Sequence, residues 1–296
     1  MASVSTTQPT RVRTTRRRIM IMGQPLGWFD VIAYSLLLLW AIICLLPLYW
    51  MFSTSFRVSS HMLETPPQFW PNPATLDNYR RLLLNATVLR WFWNSVVVSS
   101  SITAINIFFC TLAGYTFAKK VFPGRQLIFW AFMAMLMVPS QVTLVPLYIL
   151  MGKLRFVDSY WGLIIPGLFS PFGIFLMRQF VGTLPSELID AAKIDGASEF
   201  RVFMQVIFPL SQPGWAALGI FTFIENWNDF LWPLVITSQD TMRTLQVGLA
   251  TLQSRVLTDY GMLMAGAAIS AVPMIIVFLL FQRYFVRGLT LGSVKG

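Results

Sequence analysis

Six stretches of this chain are apolar over lengths that matter. Trp28–Phe52, Asn94–Ala118, Leu127–Tyr148, Tyr160–Val181, Trp215–Ile236 and Met262–Phe285 are each long enough to cross a hydrocarbon core about 30 Å thick, which takes about 20 residues of helix. The pattern predicts an all-α integral membrane protein with six transmembrane helices. Proline or small polar residues interrupt these stretches, as at Pro47, Pro139, Pro146, Pro166, Pro171, Pro233 and Pro273. Such breaks are tolerated where neighbouring helices or a water-lined path satisfy the freed backbone groups. A simple anchor has no use for them; a transport bundle does.

Two polar intervals stand out. Between Ser53 and Trp93, "PPQFWPNPATLDNYRRLL" predicts a proline-rich turn and then a short amphipathic helix at the membrane surface. Between Gly182 and Gln212 the pattern predicts two helices joined by a turn. Pro185 suits the first turn, Glu187 and Asp190 complement the positive helix end, and Gly196 is the left-handed stop. Ser198 can cap the second helix, which runs toward Pro209. Leu188, Ile189, Ala191, Ala192 and Ile194 are expected to leave small and apolar faces free, which suits a helix seated in a partner's groove. An interfacial hairpin that merely links two spans fits the hydropathy as well.

The fifth stretch contains "FIENWNDFLW". Glu225, Asn228, Asp229 and Trp232 fall at i, i+3, i+4 and i+7, one face of a continuous helix, and Thr222 extends the stripe. An ionised carboxylate at membrane depth costs about 2.5–3.5 kcal/mol even on the lenient insertion scale, so this face is expected to look into the bundle. It can line a translocation path, its acids and amide accepting the hydroxyls of a solute and its indole stacking on a ring. It can instead be structural, bonded to Asn106 or to the Ser99 and Thr103 row of the second span.

Composition narrows the class. The 296 residues are 56% hydrophobic and 11% charged, against about 25% charged in a soluble domain. The net charge of +10 comes from basic residues that flank apolar runs without interleaved aromatics, so anionic lipid, and not nucleic acid, is the expected partner. Residues 1–27, with Arg11, Arg13, Arg16, Arg17 and Arg18, form a basic tail. The run that follows is too long for a signal-peptide core and lacks a small-x-small cleavage site, so it is expected to be an uncleaved first span. With the N-terminus inside, 14 of the 22 Lys and Arg fall on the inner side. Both termini and the loop 182–212 are therefore expected in the cytoplasm. Cys44 and Cys110 read as packing residues, and the single histidine, His61, leaves no metal-ligand cluster. No G-x4-G-K-[ST] occurs, so no ATP site, cofactor or catalytic group is expected in this chain.

"DAAKIDGASEFRVFMQVIFP" closely resembles the EAA motif of ABC importer permeases, E-A-A-x3-G-x9-I-x-L-P. Asp190, Ala191 and Ala192 stand at E-A-A, Gly196 at the glycine and Pro209 at the proline, while Val206 and Phe208 replace the usual Ile and Leu. "NSVVVSSSITAINIFFCTLAGYTFAK", "MVPSQVTLVPLYILM", "WGLIIPGLFSPFGIFLMRQF", "WNDFLWPLV" and "QRYFVRGLTLGSVKG" extend the resemblance to the MalG-like carbohydrate-uptake branch, from Trp28 to Gly296. The resemblance implies a type I ABC importer permease over residues 28–296, in a bacterial cytoplasmic membrane. It implies four partners besides lipid: a second homologous permease, two copies of a cytoplasmic ATPase that binds ATP and Mg, and an extracytoplasmic sugar-binding protein. It also implies that Glu187, Asp190, Ala191, Ala192, Asp195, Gly196 and Pro209 belong to an ATPase-coupling loop. On that reading the "NAT" sequon at Asn85 is without consequence. A glycerol-phosphate or polyol permease is the alternative within the family. A stand-alone secondary transporter would leave the loop unexplained, and an intramembrane hydrolase would lack a nucleophile–base pair.

Overall fold

The computed structural model describes residues 20–21, 24–25, 28–58, 69–255 and 259–290. His61, most of the basic tail and residues 291–296 lie outside the described residues. The chain divides into two compact units, Met1–Trp50 and Met51–Gly296. The first holds a two-residue ribbon, β1 (Met20–Ile21) with β2 (Gln24–Pro25), and most of α1 (Trp28–Ser55). The ribbon is a small departure from the all-α expectation. The apolar side chains of α1 are exposed from Trp28 through Tyr49, and Cys44 is exposed with them instead of packed.

The second unit is helical. A short α2 (Asp77–Leu83) precedes α3 (Ala86–Lys119), the long axis of the bundle. Asn85 caps α3: its side chain accepts from the Thr87 N–H at 3.0 Å, so the sequon asparagine already has a structural task. Then follow α4 (Arg125–Met135), α5 (Ser140–Lys153), α6 (Tyr160–Ile164) and α7 (Pro171–Gly182). The loop region holds α8 (Glu187–Ile194), α9 (Glu199–Val202), a π-helical turn (Phe203–Ile207) and α10 (Phe208–Leu210). Last come α11 (Gln212–Asn228), α12 (Leu231–Ile236), α13 (Leu245–Arg255) and α14 (Tyr260–Thr290).

Three of the expected spans are single helices long and apolar enough to cross a membrane: α1, α3 and α14 through Gln282. The other three are not the straight helices that hydropathy predicts. The helices α4 and α5 meet at 98°, and the α6 segment meets α7 at 45°. The segment Glu199–Leu210 meets α11 at 76°, and α11 itself stops at Asn228, short of Ile236. The prolines explain only part of this. Pro139, Pro166 and Pro171 sit at breaks, where a missing N–H costs least, whereas Pro47, Pro146 and Pro273 lie inside continuous helices.

Close packing around α3 sets the frame. A Cβ on Gly114 would lie 2.7 Å from the Met177 Cβ and from the Arg178 nitrogen, so α3 and α7 cross nearly backbone to backbone. Beyond it, Cys110, Tyr115, Phe117, Phe129, Met177, Ile189 and Phe203 form one buried cluster that joins the loop helices to the bundle. At the far part of α3, Asn94 donates to the carbonyls of Thr241 (2.9 Å) and Arg243 (2.8 Å) and accepts from the Tyr160 hydroxyl (2.6 Å). A buried amide satisfied this fully fixes two segments to one helix.

Candidate functional site

Two features concentrate the candidate residues. The first is the loop 182–212. The helix α8 ends in a Schellman arrangement: the Gly196 N–H donates to Lys193 O and the Ala197 N–H to Ala192 O, both at 3.0 Å. Gly196 takes φ +77°, and a Cβ there would meet nothing within 4 Å. Backbone conformation alone therefore asks for glycine. Ser198 caps α9, accepting from the Arg201 N–H, as its sequence position predicts. Pro185 lies two residues ahead of α8, outside its first turn, and Ser186 is the cap position.

The faces of α8 are divided more sharply than the sequence suggests. Ile189 is buried at 5% exposure and Ala192 packs against the same cluster, so neither is free. Leu188, Ala191 and Ile194 are exposed, Ile194 at 86%. The 3.6-residue period accounts for this: 188, 191 and 194 share one face, and 189 and 192 the other. Glu187, Asp190, Asp195, Gly196 and Pro209 are exposed as well.

Sequence reading missed the ties that hold this loop. Glu199, first residue of α9, forms ion pairs with Lys120 and with Lys193 (3.0 Å) and accepts from the Tyr115 hydroxyl at 3.2 Å. Hydrogen bonds from Lys120 and then Lys193 lower its pKa to about 2. Lys119 donates to the Leu184 carbonyl and to the Ser186 hydroxyl. Consecutive lysines at the end of a long apolar helix were read only as topology signals; their approach to Glu199 depends on the fold.

The second feature is a cavity of about 870 Å³, and it lies where the helix breaks converge. Its walls include Pro139 and Ser140 from the α4–α5 break, Pro166, Gly167, Ser170 and Pro171 from the α6–α7 break, Asp229 between α11 and α12, and Leu231 at the start of α12. Asn106, Thr222, Glu225, Asn226 and Trp232 complete its polar lining, with no basic residue among the described wall residues. Irregular backbone at membrane depth is expected only where it is buried in protein or lines such a space.

The structure brings Glu225, Asp229 and Trp232 to this cavity but not Asn228. Because α11 ends at Asn228 and Asp229 is extended (φ −63°, ψ 125°), the single continuous face expected across these residues does not exist. Asn228 turns to α14, donating to Met274 Sδ at 3.0 Å and to Ile224 O at 2.9 Å. Asn226 takes its place, held by a bond to Thr222 O at 2.7 Å. Its i+4 spacing from Thr222 was the available signal. The Asp229 carboxyl faces the backbone N–H groups of Phe230, Leu231 and Trp232, at the start of α12. Trp232 donates its indole N–H to Gly162 O at 3.0 Å, which fixes the ring at the wall. Among the described residues, the structural alternative finds no support in Ser99 or Thr103, whose buried hydroxyls have no partner. Asn106 bonds Ile102 O and Gly167 O instead.

Residues 107–291 match the family described as "binding-protein-dependent transport system inner membrane component". The chain is 38% identical over 274 residues to the arabinooligosaccharides transport system permease protein AraQ of Halalkalibacterium halodurans, covering 92% of this chain and 97% of that one. It is 33% identical over 279 residues to the sn-glycerol-3-phosphate transport system permease protein UgpE of Brucella abortus, with 91% and 98% covered. Among solved structures, a chain of a bacterial ABC transporter involved in the import of the acidic polysaccharide alginate superposes with a TM-score of 0.77 at 22% identity, over 87% of this chain and 96% of that one. The fold is thus that of an ABC importer permease, and the chain belongs to the family of inner-membrane components of binding-protein-dependent transport systems.

Proposed function

We propose that this protein is one permease subunit of an ATP-driven importer of neutral saccharides. It would cross the bacterial cytoplasmic membrane six times with both termini inside, with α4–α5, α6–α7 and α11–α12 each counting as one span. A second homologous permease would complete the path, an extracytoplasmic binding protein would deliver the sugar, and two copies of a cytoplasmic ATPase would bind ATP and Mg. The chain itself would carry no catalytic group.

The observation that carries the reading is the exposed face of α8, where Leu188, Ala191 and Ile194 stand free beside a glycine-capped elbow. Apolar side chains on a rigid, polar-rimmed helix are what a groove on a partner recognises. A two-helix elbow fixed at Gly196 can pass closure of an ATPase dimer into the bundle as a rigid-body movement. The cavity supplies the other half. Carboxyl and amide groups of Glu225, Asp229, Asn226 and Asn106 offer partners for hydroxyls, and Trp232 offers a ring face. Two carboxyl groups, with no basic residue among the described wall residues, favour a neutral sugar over a glycerol-phosphate or uronate, because like charges repel across the cavity. The AraQ relatives also match at higher identity than the UgpE relatives.

The test is purification of the tagged chain from its native membrane, followed by uptake in proteoliposomes. A second permease and an ATPase should co-purify, and ATP should drive uptake of arabinotriose only with the binding protein present. A chain that purifies alone and transports without ATP would contradict the proposal.

A further inference from the structure

Glu199 joins three elements at one carboxylate: α9 by its own backbone, α8 through Lys193, and the end of α3 through Lys120 and Tyr115. The Lys120 ammonium also lies 4.9 Å from the Tyr115 ring centroid. One residue earlier, Lys119 holds the entry to α8 through Leu184 O and Ser186 Oγ. The apolar cluster beneath, which holds Ile189, Phe203, Tyr115 and Phe117, supplies adhesion but little direction, since the hydrophobic effect is non-directional. Charged hydrogen bonds of fixed geometry resist it.

We propose that Glu199 is a latch that makes the loop 182–212 and the α3 helix move as one body. Displacement of α8 by an ATPase then reaches α3 at Lys120 and Tyr115. It continues along that helix to Asn106 in the cavity wall, nine residues away or about 13 Å of helix. This rests on the reading of α8 as the ATPase-docking helix. It adds a positioning residue that touches neither sugar nor nucleotide. A polar node suits the role better than more apolar area, because it specifies one orientation of the elbow against α3.

The latch is tested in the importer assembled with its ATPase in lipid nanodiscs. Spin labels are placed at Val121→Cys, just past α3, and Arg201→Cys on α9, with Cys44→Ser and Cys110→Ala removing the native thiols. The wild-type sequence should give one narrow distance distribution, unchanged by ATP and Mg. Glu199→Gln should broaden it and make its maximum shift on adding ATP. Lys120→Gln should do the same, and the two together no more than either alone, as expected for partners in one interaction. Superimposable distributions for Glu199→Gln and the wild type, with and without ATP, would overturn the proposal. Ile194→Asp separates the underlying reading: it should lose the co-purifying ATPase. If the ATPase stays, docking through α8 fails and the latch falls with it; if the ATPase is lost and Glu199→Gln changes nothing, only the latch fails.

Discussion

Asn106 donates to the Gly167 carbonyl at 2.7 Å, tying the middle of α3 to the break between α6 and α7. Both residues line the cavity, so one hydrogen bond shapes the wall and satisfies a carbonyl freed by the break. Asn106→Leu would leave that carbonyl unpaired, a cost of about 1–3 kcal/mol for a buried acceptor. The variant should assemble in reduced amount, and uptake per assembled complex should fall. Asn106→Asp, which keeps the size but loses the donor, should resemble it. Wild-type uptake by both would show that the bond is dispensable.

Gly114 tests the frame instead of the path. Its missing Cβ lets α3 approach the α7 backbone, so Gly114→Ala should cost about 1–3 kcal/mol through overpacking and lower the thermal stability of the purified chain. Gly152, whose Cβ would meet nothing within 4 Å, is the matched control and should accept alanine without loss. Equal melting temperatures for the two alanine variants would mean that the helices can part at no cost.

Gly196 tests conformation separately from space. At φ +77° a β-branched residue is strained although the site is open, so Gly196→Val should uncouple uptake from ATP hydrolysis while leaving insertion intact. Asn tolerates the left-handed region, so Gly196→Asn should recover much of the activity. Recovery by Asn but not Val, measured as sugar imported per ATP hydrolysed, is the expected pattern. Normal coupling by Gly196→Val would refute the elbow.

The charge of Glu199 sets a pH window. Its folded pKa is lowered to about 2 from 4.5, so its stabilisation is fully present above the unfolded value and is lost only as pH falls toward the folded one. Between pH 5 and 8 the melting-temperature gap between the wild type and Glu199→Gln should therefore stay constant. It should narrow on acidification below about pH 4.5, the pKa of an unpaired Glu. High salt should also narrow it, because the side chain is 59% exposed and its pairs are screened. A gap that changes across neutral pH would point to another titrating group.

In the cavity, Asp229→Asn keeps hydrogen-bonding capacity and should change uptake kinetics with assembly intact, whereas Asp229→Leu should abolish uptake. Asn228→Leu should spare sugar preference, because Asn228 faces α14 and not the cavity. If uptake falls only in step with the amount of assembled complex for every sugar, the cavity is structural and not a path.

Much of this was legible in the sequence. Chain length and hydropathy placed α3 and α14, and Gly196 with Ser198 marked both sides of the elbow before any coordinates. The bends were not legible, because hydropathy measures how greasy a segment is and not whether its helix continues. Pro146 and Pro273 are accommodated within helices, whereas Pro233 acts four residues back: its missing N–H and its ring deny the Asp229 carbonyl a helical bond, and α11 ends at Asn228. That unseen end moved Asn228 out of the expected stripe and brought Asn226 in. Glu199 was hidden for a different reason: two of its three partners, Lys120 and Tyr115, lie 79 and 84 residues away, and only the crossing of α3 and the loop brings them together.

The most direct measurement concerns Ile194, the most exposed apolar residue of α8. With Ile194→Cys in a Cys44→Ser, Cys110→Ala background, a short maleimide–benzophenone is attached in native membranes and irradiated, so that no cysteine on the ATPase is needed, and the product is identified by mass spectrometry. The expected result is one adduct joining Ile194→Cys to an ATPase subunit, with a yield that changes when ATP and Mg are added. A labelled but unlinked chain, in membranes where importer activity persists, would contradict docking of the motor at this helix.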